Sequence, residues 1–214
     1  MKLNFPETSL IITDEALVLS SRKPLVVLST AIVGGGLLKT QHIVNKHVEH
    51  GYNCLEPEKD VISFARSVGI AEPFVGMMTA VKTKEAKYLS KEHGGIRVAA
   101  IVTAGFGNMA SAGVTLPARV RSAGTINSII LVDANLTPAA MVNAITTATE
   151  AKVKFLADNR VKISGGHLGT GTSTDAIALA TTGKGEAVKF AGPATVAGWL
   201  IARCVTTALM NVLG

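Results

Sequence analysis

Residues 98–118 carry no charged side chain, and they open on the apolar run Val98-Ala-Ala-Ile-Val-Thr103. The stretch is long enough to span a bilayer. Yet it contains Gly105, Gly107, Asn108, Ser111, Gly113 and Pro117, which no membrane helix would tolerate together. It predicts a buried strand that runs into a glycine-rich loop. Hydrophobic residues make up 48% of the chain but aromatic residues only 4%, so Ala, Val, Ile, Leu and Gly must fill the core. At 214 residues the chain suits a single domain spanning residues 1–214. It shows no linker, repeat or low-complexity segment.

The rest of the pattern is read in the same way. Residues 10–13 and 16–20 flank Asp14-Glu15 as a hairpin, and residues 25–30 form an apolar strand ending at Gly34-Gly-Gly36. Residues 42–50 and 59–68 read as helices that stop at Gly51 and Gly69. Residues 74–81, 98–103 and 125–132 read as strands. A charged helix is expected between the first two, because Lys84, Lys87 and Lys91 fall at helical spacing. Thr137-Pro138 supplies an N-cap and a first-turn proline for a long helix reaching Asp158. Residues 176–181 and 187–190 are expected to pair as strands through Thr182-Gly-Lys-Gly185, and residues 195–212 close the chain as an apolar helix. This order suits an α/β or α+β domain with a mixed sheet packed by helices. The alternative is a layered αββα sandwich.

Lys and Arg total 21 against 15 Asp and Glu, a net charge of +6. The densest basic stretch contains a single aromatic, Tyr88, which does not suit base stacking; no nucleic-acid partner is expected. The N-terminus has no signal-peptide core, and the chain reads as soluble and cytoplasmic, without a membrane partner. Cys54 and Cys204 lie far apart, outside any metal or redox spacing; Cys204 reads as a small buried hydrophobe. His42, His47 and His50 do not match a zinc-helix spacing, so no metal is expected.

The polar chemistry gathers elsewhere. Between residues 98 and 149 the only charges are Arg119, Arg121 and Asp133, set among Asn108, Asn127 and several threonines. Such uncharged groups on glycine-rich turns suit a ligand rich in amides or carbonyls. Gly34, Gly35 and Gly36 can offer backbone N–H groups to a carbonyl. In Gly165-Gly-His-Leu-Gly-Thr-Gly-Thr-Ser-Thr-Asp175, four hydroxyls precede one carboxylate, so Asp175 can act as a base on water or on Thr174. Lys152 falls on the apolar face of its helix. It either snorkels to an edge or meets a buried carboxylate such as Asp133 or Asp175.

Taken in order, Gly34-Gly-Gly36 with Asn45, Gly76-Met-Met-Thr-Ala80, Val102-Thr-Ala-Gly105 with Asn108, Gly124-Thr-Ile-Asn127, Thr149-Glu-Ala-Lys152, Gly171-Thr-Ser-Thr-Asp-Ala176 and Ala191-Gly192 resemble the adenosylcobinamide amidohydrolases, the CbiZ family of corrinoid salvage. The resemblance runs over roughly residues 25–210. It implies hydrolysis of adenosylcobinamide to adenosylcobyric acid and aminopropanol. It implies no cofactor, since cobalt would enter only as part of the corrinoid substrate. Assigned onto that reaction, Asp175 is the base, acting on Thr174 or water, and Lys152 with the 34–36 turn stabilises the oxyanion. Asn45, Asn108, Asn127 and Thr172 contact the substrate. Two rival readings are a non-catalytic corrinoid carrier and a self-cleaving Thr-nucleophile hydrolase. A homo-oligomer is compatible with the apolar surface.

Overall fold

Every residue of the strand Ile126–Val132 is buried, so cover is needed on both of its faces. The computed structural model, which describes residues 3–117 and 124–213, shows how the chain supplies it. Arg119 and Arg121 lie outside the described residues.

The elements run β1 (Thr8–Ile12), β2 (Ala16–Ser29), β3 (Gly36–His47), α1 (Pro57–Ser67), β4 (Val75–Thr79), β5 (Lys87–His93), β6 (Ile96–Ala104), β7 (Met109–Ala110), β8 (Ile126–Val132), β9 (Asn135–Leu136), α2 (Pro138–Asp158), β10 (Gly171–Thr172), β11 (Ala176–Thr181), β12 (Ala187–Val188) and α3 (Val196–Leu213). The main sheet has the order β4-β3-β2-β11-β8-β6-β5, with β1 on β2. Pairs β3–β4 and β8–β11 are parallel and the others antiparallel, so the sheet is mixed.

The sheet folds back on itself. In β2 the pairing with β3 shifts register between Ser20 and Leu25. Before the shift the other edge of β2 takes β1, and after it takes β11. One face of the folded sheet then closes on itself: Leu17, Leu19, Ile43 and Met77 pack with Ala99, Ile101, Ile129 and Leu131. The alternate residues Val98, Val102, Ile130 and Val132 face α2 and α3. On the opposite side Val61 and Ala65 of α1 cover Val44 and Phe74. The layers are therefore helix, sheet, sheet, helix, the sandwich raised as the alternative from sequence. α3 is long and apolar enough, by length and composition, to cross a membrane. It packs on β5, β6 and α2, burying Leu200, Ile201, Cys204, Val205, Ala208 and Leu209.

Three expectations fail, each for a stated reason. Residues 42–47 are strand, not helix, because Ile43 and Val44 are β-branched and β3 is paired on both edges. The charged segment 87–93 is strand β5. Gly94 and Gly95 both take positive φ, which closes a tight hairpin onto β6. Val188 pairs with Leu136 of β9 rather than with β11, whose two edges are already held by β2 and β8. The long helix, by contrast, starts as read: Thr137 Oγ1 accepts from Ala140 N at 3.2 Å, with Pro138 in its first turn.

Polar groups also bridge the two sheet layers. Asn45 Nδ2 donates to Thr103 Oγ1 at 3.1 Å, and Asn127 Nδ2 donates to Asn45 Oδ1 at 2.9 Å and to Met78 O at 2.7 Å. All three side chains are buried, so each amide needs the others. Asn127→Ala would strand Asn45 and the Met78 carbonyl. We expect a loss of about 3 kcal/mol, which for a chain of this size lowers Tm by roughly 6–12 °C. Thermal unfolding measures it, and a shift below 2 °C (on the order of 1 kcal/mol or less) would show that the bridge is not stabilising.

Burial pushes the Cys204 thiol up to about 11, whereas Cys54 is exposed. The thiolate is the reactive form. A thiol reagent at pH 8 is therefore expected to label Cys54 alone in the native protein and both cysteines after unfolding. Fast native labelling of Cys204, read by mass spectrometry, would contradict this packing of α3.

Candidate active site

Asp175 ends the hydroxyl-rich loop just before β11. Its Oδ1 accepts from Ile126 N at 3.0 Å, from Thr172 N at 3.1 Å and from the Thr172 hydroxyl. Its Oδ2 accepts from the Lys152 ammonium. The carboxylate thus joins the start of β8, the β10 turn and α2. Lys152 reaches it because Gly171 lies between them: a Cβ there would sit 2.5 Å from Asp175 Oδ2 and 2.8 Å from Lys152 Nζ. Both side chains of the pair are mostly buried. Asp133, the other partner considered for Lys152, lies instead against Thr182 and Lys184.

The pair forms the floor of an open cavity of about 830 Å³. One wall is the short ribbon of β7 and β10, in which Gly171 pairs with Ala110 and Thr172 with Met109. The Thr170 hydroxyl accepts from Ala112 N at 2.9 Å and so holds the following loop, residues 111–117, beside the cavity. Asn108 Nδ2 donates to Ser173 Oγ at 2.7 Å across the same mouth. Leu116 lines the rim and is 83% exposed.

Asp175, Lys152, Thr172 and Asn108 therefore come together as the sequence suggested. Thr174 stands differently. Its hydroxyl points to Gly124 O at 3.4 Å, and the hydroxyl against Asp175 is Thr172's. Asn45 and Asn127 lie inside the sandwich, bonded to each other. They reach the loop indirectly, through Thr125, whose hydroxyl donates to Thr174 O at 2.8 Å with Asn127 Oδ1 3.1 Å away. Gly34, Gly35 and Gly36 do not line the cavity. Their turn docks β2 and β3 on β4 through Val33 and Gly76, and a Cβ at Gly34, where φ is +64°, would strike Phe74 O. His42 bonds Ser20 Oγ at 3.0 Å. Among the described residues no group of three His, Cys, Asp or Glu side chains converges to hold a metal. Ser111 and Thr115 belong to the uncharged stretch that the sequence marks as suited to an amide-rich ligand, whereas Leu116 carries no such signal; nothing local shows that this loop lines the same cavity as Lys152.

Chemically, the site offers an ammonium with two further N–H groups, a carboxylate saturated at one oxygen, and a hydroxyl already directed at that carboxylate. Fold and site together define a four-layer α/β protein with a hydroxyl- and amide-lined cavity over a Lys–Asp pair. Residues 4–213 match the sequence profile of the adenosylcobinamide amidohydrolases. The chain belongs to that family. It is 32% identical over 148 residues to the adenosylcobinamide amidohydrolase of Methanosarcina mazei, the match covering 69% of this chain and 66% of that protein. It is also 38% identical over 93 residues to an uncharacterised protein of Methanocaldococcus jannaschii, covering 42% and 36%. The matched stretch thus spans just under two thirds of the first relative's length and about a third of the second's. Among solved structures, a Burkholderia β-aminopeptidase superposes with a TM-score of 0.51 at 18% identity, covering 99% of this chain and 82% of that one. That likeness concerns the fold alone.

Gly171→Ala is expected to force the Lys152–Asp175 pair apart. Overpacking of this kind costs about 1–3 kcal/mol, or roughly 2–12 °C in Tm. An unchanged Tm together with an intact ion pair in the variant's crystal structure would show that the loop gives way instead.

Proposed function

We propose that this chain is an amidohydrolase that converts adenosylcobinamide to adenosylcobyric acid and aminopropanol. The observation that carries the reading is the family match over residues 4–213. The cavity supports it chemically. A corrinoid is broad and partly apolar, with many peripheral amides. A rim of exposed Leu116 beside neutral amide and hydroxyl groups suits such a ligand without burying new charge. Cobalt enters only within the substrate.

In this reading the Thr172 Oγ1 attacks the scissile carbonyl and its proton passes to Asp175. The Lys152 ammonium donates to the carbonyl oxygen as it takes up negative charge. The C–N bond then breaks, and the proton held by Asp175 goes to the departing amine. This leaves an ester of Thr172. A water gives a proton to Asp175 as it attacks the ester carbonyl, and when the ester bond breaks that proton passes to Thr172 Oγ1, which releases the acid and restores the hydroxyl and the carboxylate. Asp175 thus holds three elements in place and shuttles one proton in each half of the reaction.

Incubation with adenosylcobinamide, followed by chromatography of the corrinoid, tests the activity. A folded protein that binds the corrinoid one to one and returns it unchanged over hours would be a carrier. Asp175→Asn is expected to lower kcat by about 10²–10⁴-fold with corrinoid affinity largely kept. Thr172→Ala should lower kcat by a similar factor, and Thr172→Ser should restore much of it. A Thr172→Ala rate within a few-fold of the parent, at unchanged Tm, would make water the nucleophile.

A further inference from the structure

Behind the Lys152–Asp175 pair lies a second cavity of about 190 Å³. It shares Thr149, Lys152 and Asp175 with the large cavity, so the ion pair stands between the two. The rest of its wall is divided by chemistry. Ile145 of α2 and Ile177 of β11 are apolar, while Thr30 and Ser128 bring hydroxyls. Ser128 lines the cavity and is only 7% exposed. The Thr30 hydroxyl oxygen accepts from Ile177 N at 3.1 Å, which leaves its proton to be donated. Two hydroxyls on one wall of the cavity are placed to bond the polar end of a ligand.

We propose that this small cavity is the leaving-group pocket. It takes the amino alcohol end of the scissile amide, while the large cavity takes the corrinoid side. The assignment rests on the amidohydrolase reading above. A volume of 190 Å³ holds roughly six water-sized groups at ~30 Å³ each. That is room for a three-carbon amino alcohol and far less than a whole corrin ring system needs. The amide nitrogen then lies at the ion pair. The alcohol meets Ser128 and Thr30, and the carbon chain lies on Ile145 and Ile177. The amine released into this cavity leaves beside Asp175, the group that returns its proton.

The test compares kcat/KM on adenosylcobinamide and on two analogues, one whose amide carries propylamine, which lacks only the hydroxyl, and one that carries methylamine. The parent protein is expected to favour the hydroxylated amide by about tenfold, the worth of a hydrogen bond formed in the pocket. Ser128→Ala should reduce that preference to about twofold or less, because the deep hydroxyl is gone while the Ile wall remains. Ile145→Phe, which narrows the cavity, should depress the aminopropanol amide far more than the methylamine amide; melting curves show whether each variant is folded. If Ile145→Phe fails to fold, Ser128→Ala decides alone. A parent enzyme that hydrolyses adenosylcobinamide without preferring the hydroxyl, or a Ser128→Ala variant that keeps the preference, overturns the pocket and leaves the amidohydrolase intact. A folded parent that hydrolyses none of the corrinoid amides overturns both.

Discussion

The Asp175 carboxylate is where three distant parts of the chain are made to agree. It receives the first backbone amide of β8, the amide and hydroxyl of Thr172, and the ammonium of Lys152 from α2. A mostly buried carboxylate is tolerable only when its lone pairs are met, and these donors meet them. The same condition fixes the register of the β10 turn against the sheet and draws Lys152 out of an otherwise apolar helix face. Gly171 makes the geometry possible by leaving no side chain between the two charges. The cavity floor and the fold's cohesion in this region are thus one set of contacts.

That set is connected to the interior. Thr125 sits one residue before β8 and holds the Thr174 carbonyl, and its neighbour in space is Asn127, which bridges to Asn45 and Met78 across the sandwich. The loop therefore rests on a hydrogen-bonded chain running between the two sheet layers. The layers are otherwise joined by aliphatic contacts, which are insensitive to direction. Buried amides, which are directional, fix how the layers align at the end nearest the cavity.

Much of this could be read from the sequence, and the failures have physical causes. The three helices and the buried strands declare themselves because Thr137-Pro138, Gly69 and the unbroken apolar runs are local signals. Asp175, Lys152 and Thr172 were legible as oddities: a lone carboxylate after hydroxyls, and a lysine on an apolar face. Residues 87–93 differ from the expectation because lysines at helical spacing also fit a strand with polar positions, and residues 42–47 because a stop at Gly51 ends a strand as well as a helix; pairing partners far along the chain decide both. Asn45 and Asn127 are expected at the substrate because they stand in the motifs that carry the family resemblance, and motif membership does not say which way an amide faces. In the fold each partners the other. Pairing between residues so far apart has no local signature, and the bend in β2 that brings the layers together has none beyond Pro24.

The Gly94-Gly95 hairpin leaves β5 as the last strand on one side of the sheet, with a row of backbone donors and acceptors facing outward. Such an edge is a template for another chain. Lys87 and Lys91, two steps apart on one face of β5, place like charges where a second copy would have to add its own strand. Two of the lysines expected on a charged helix thus lie on an edge strand, where charge disfavours the addition of a further strand.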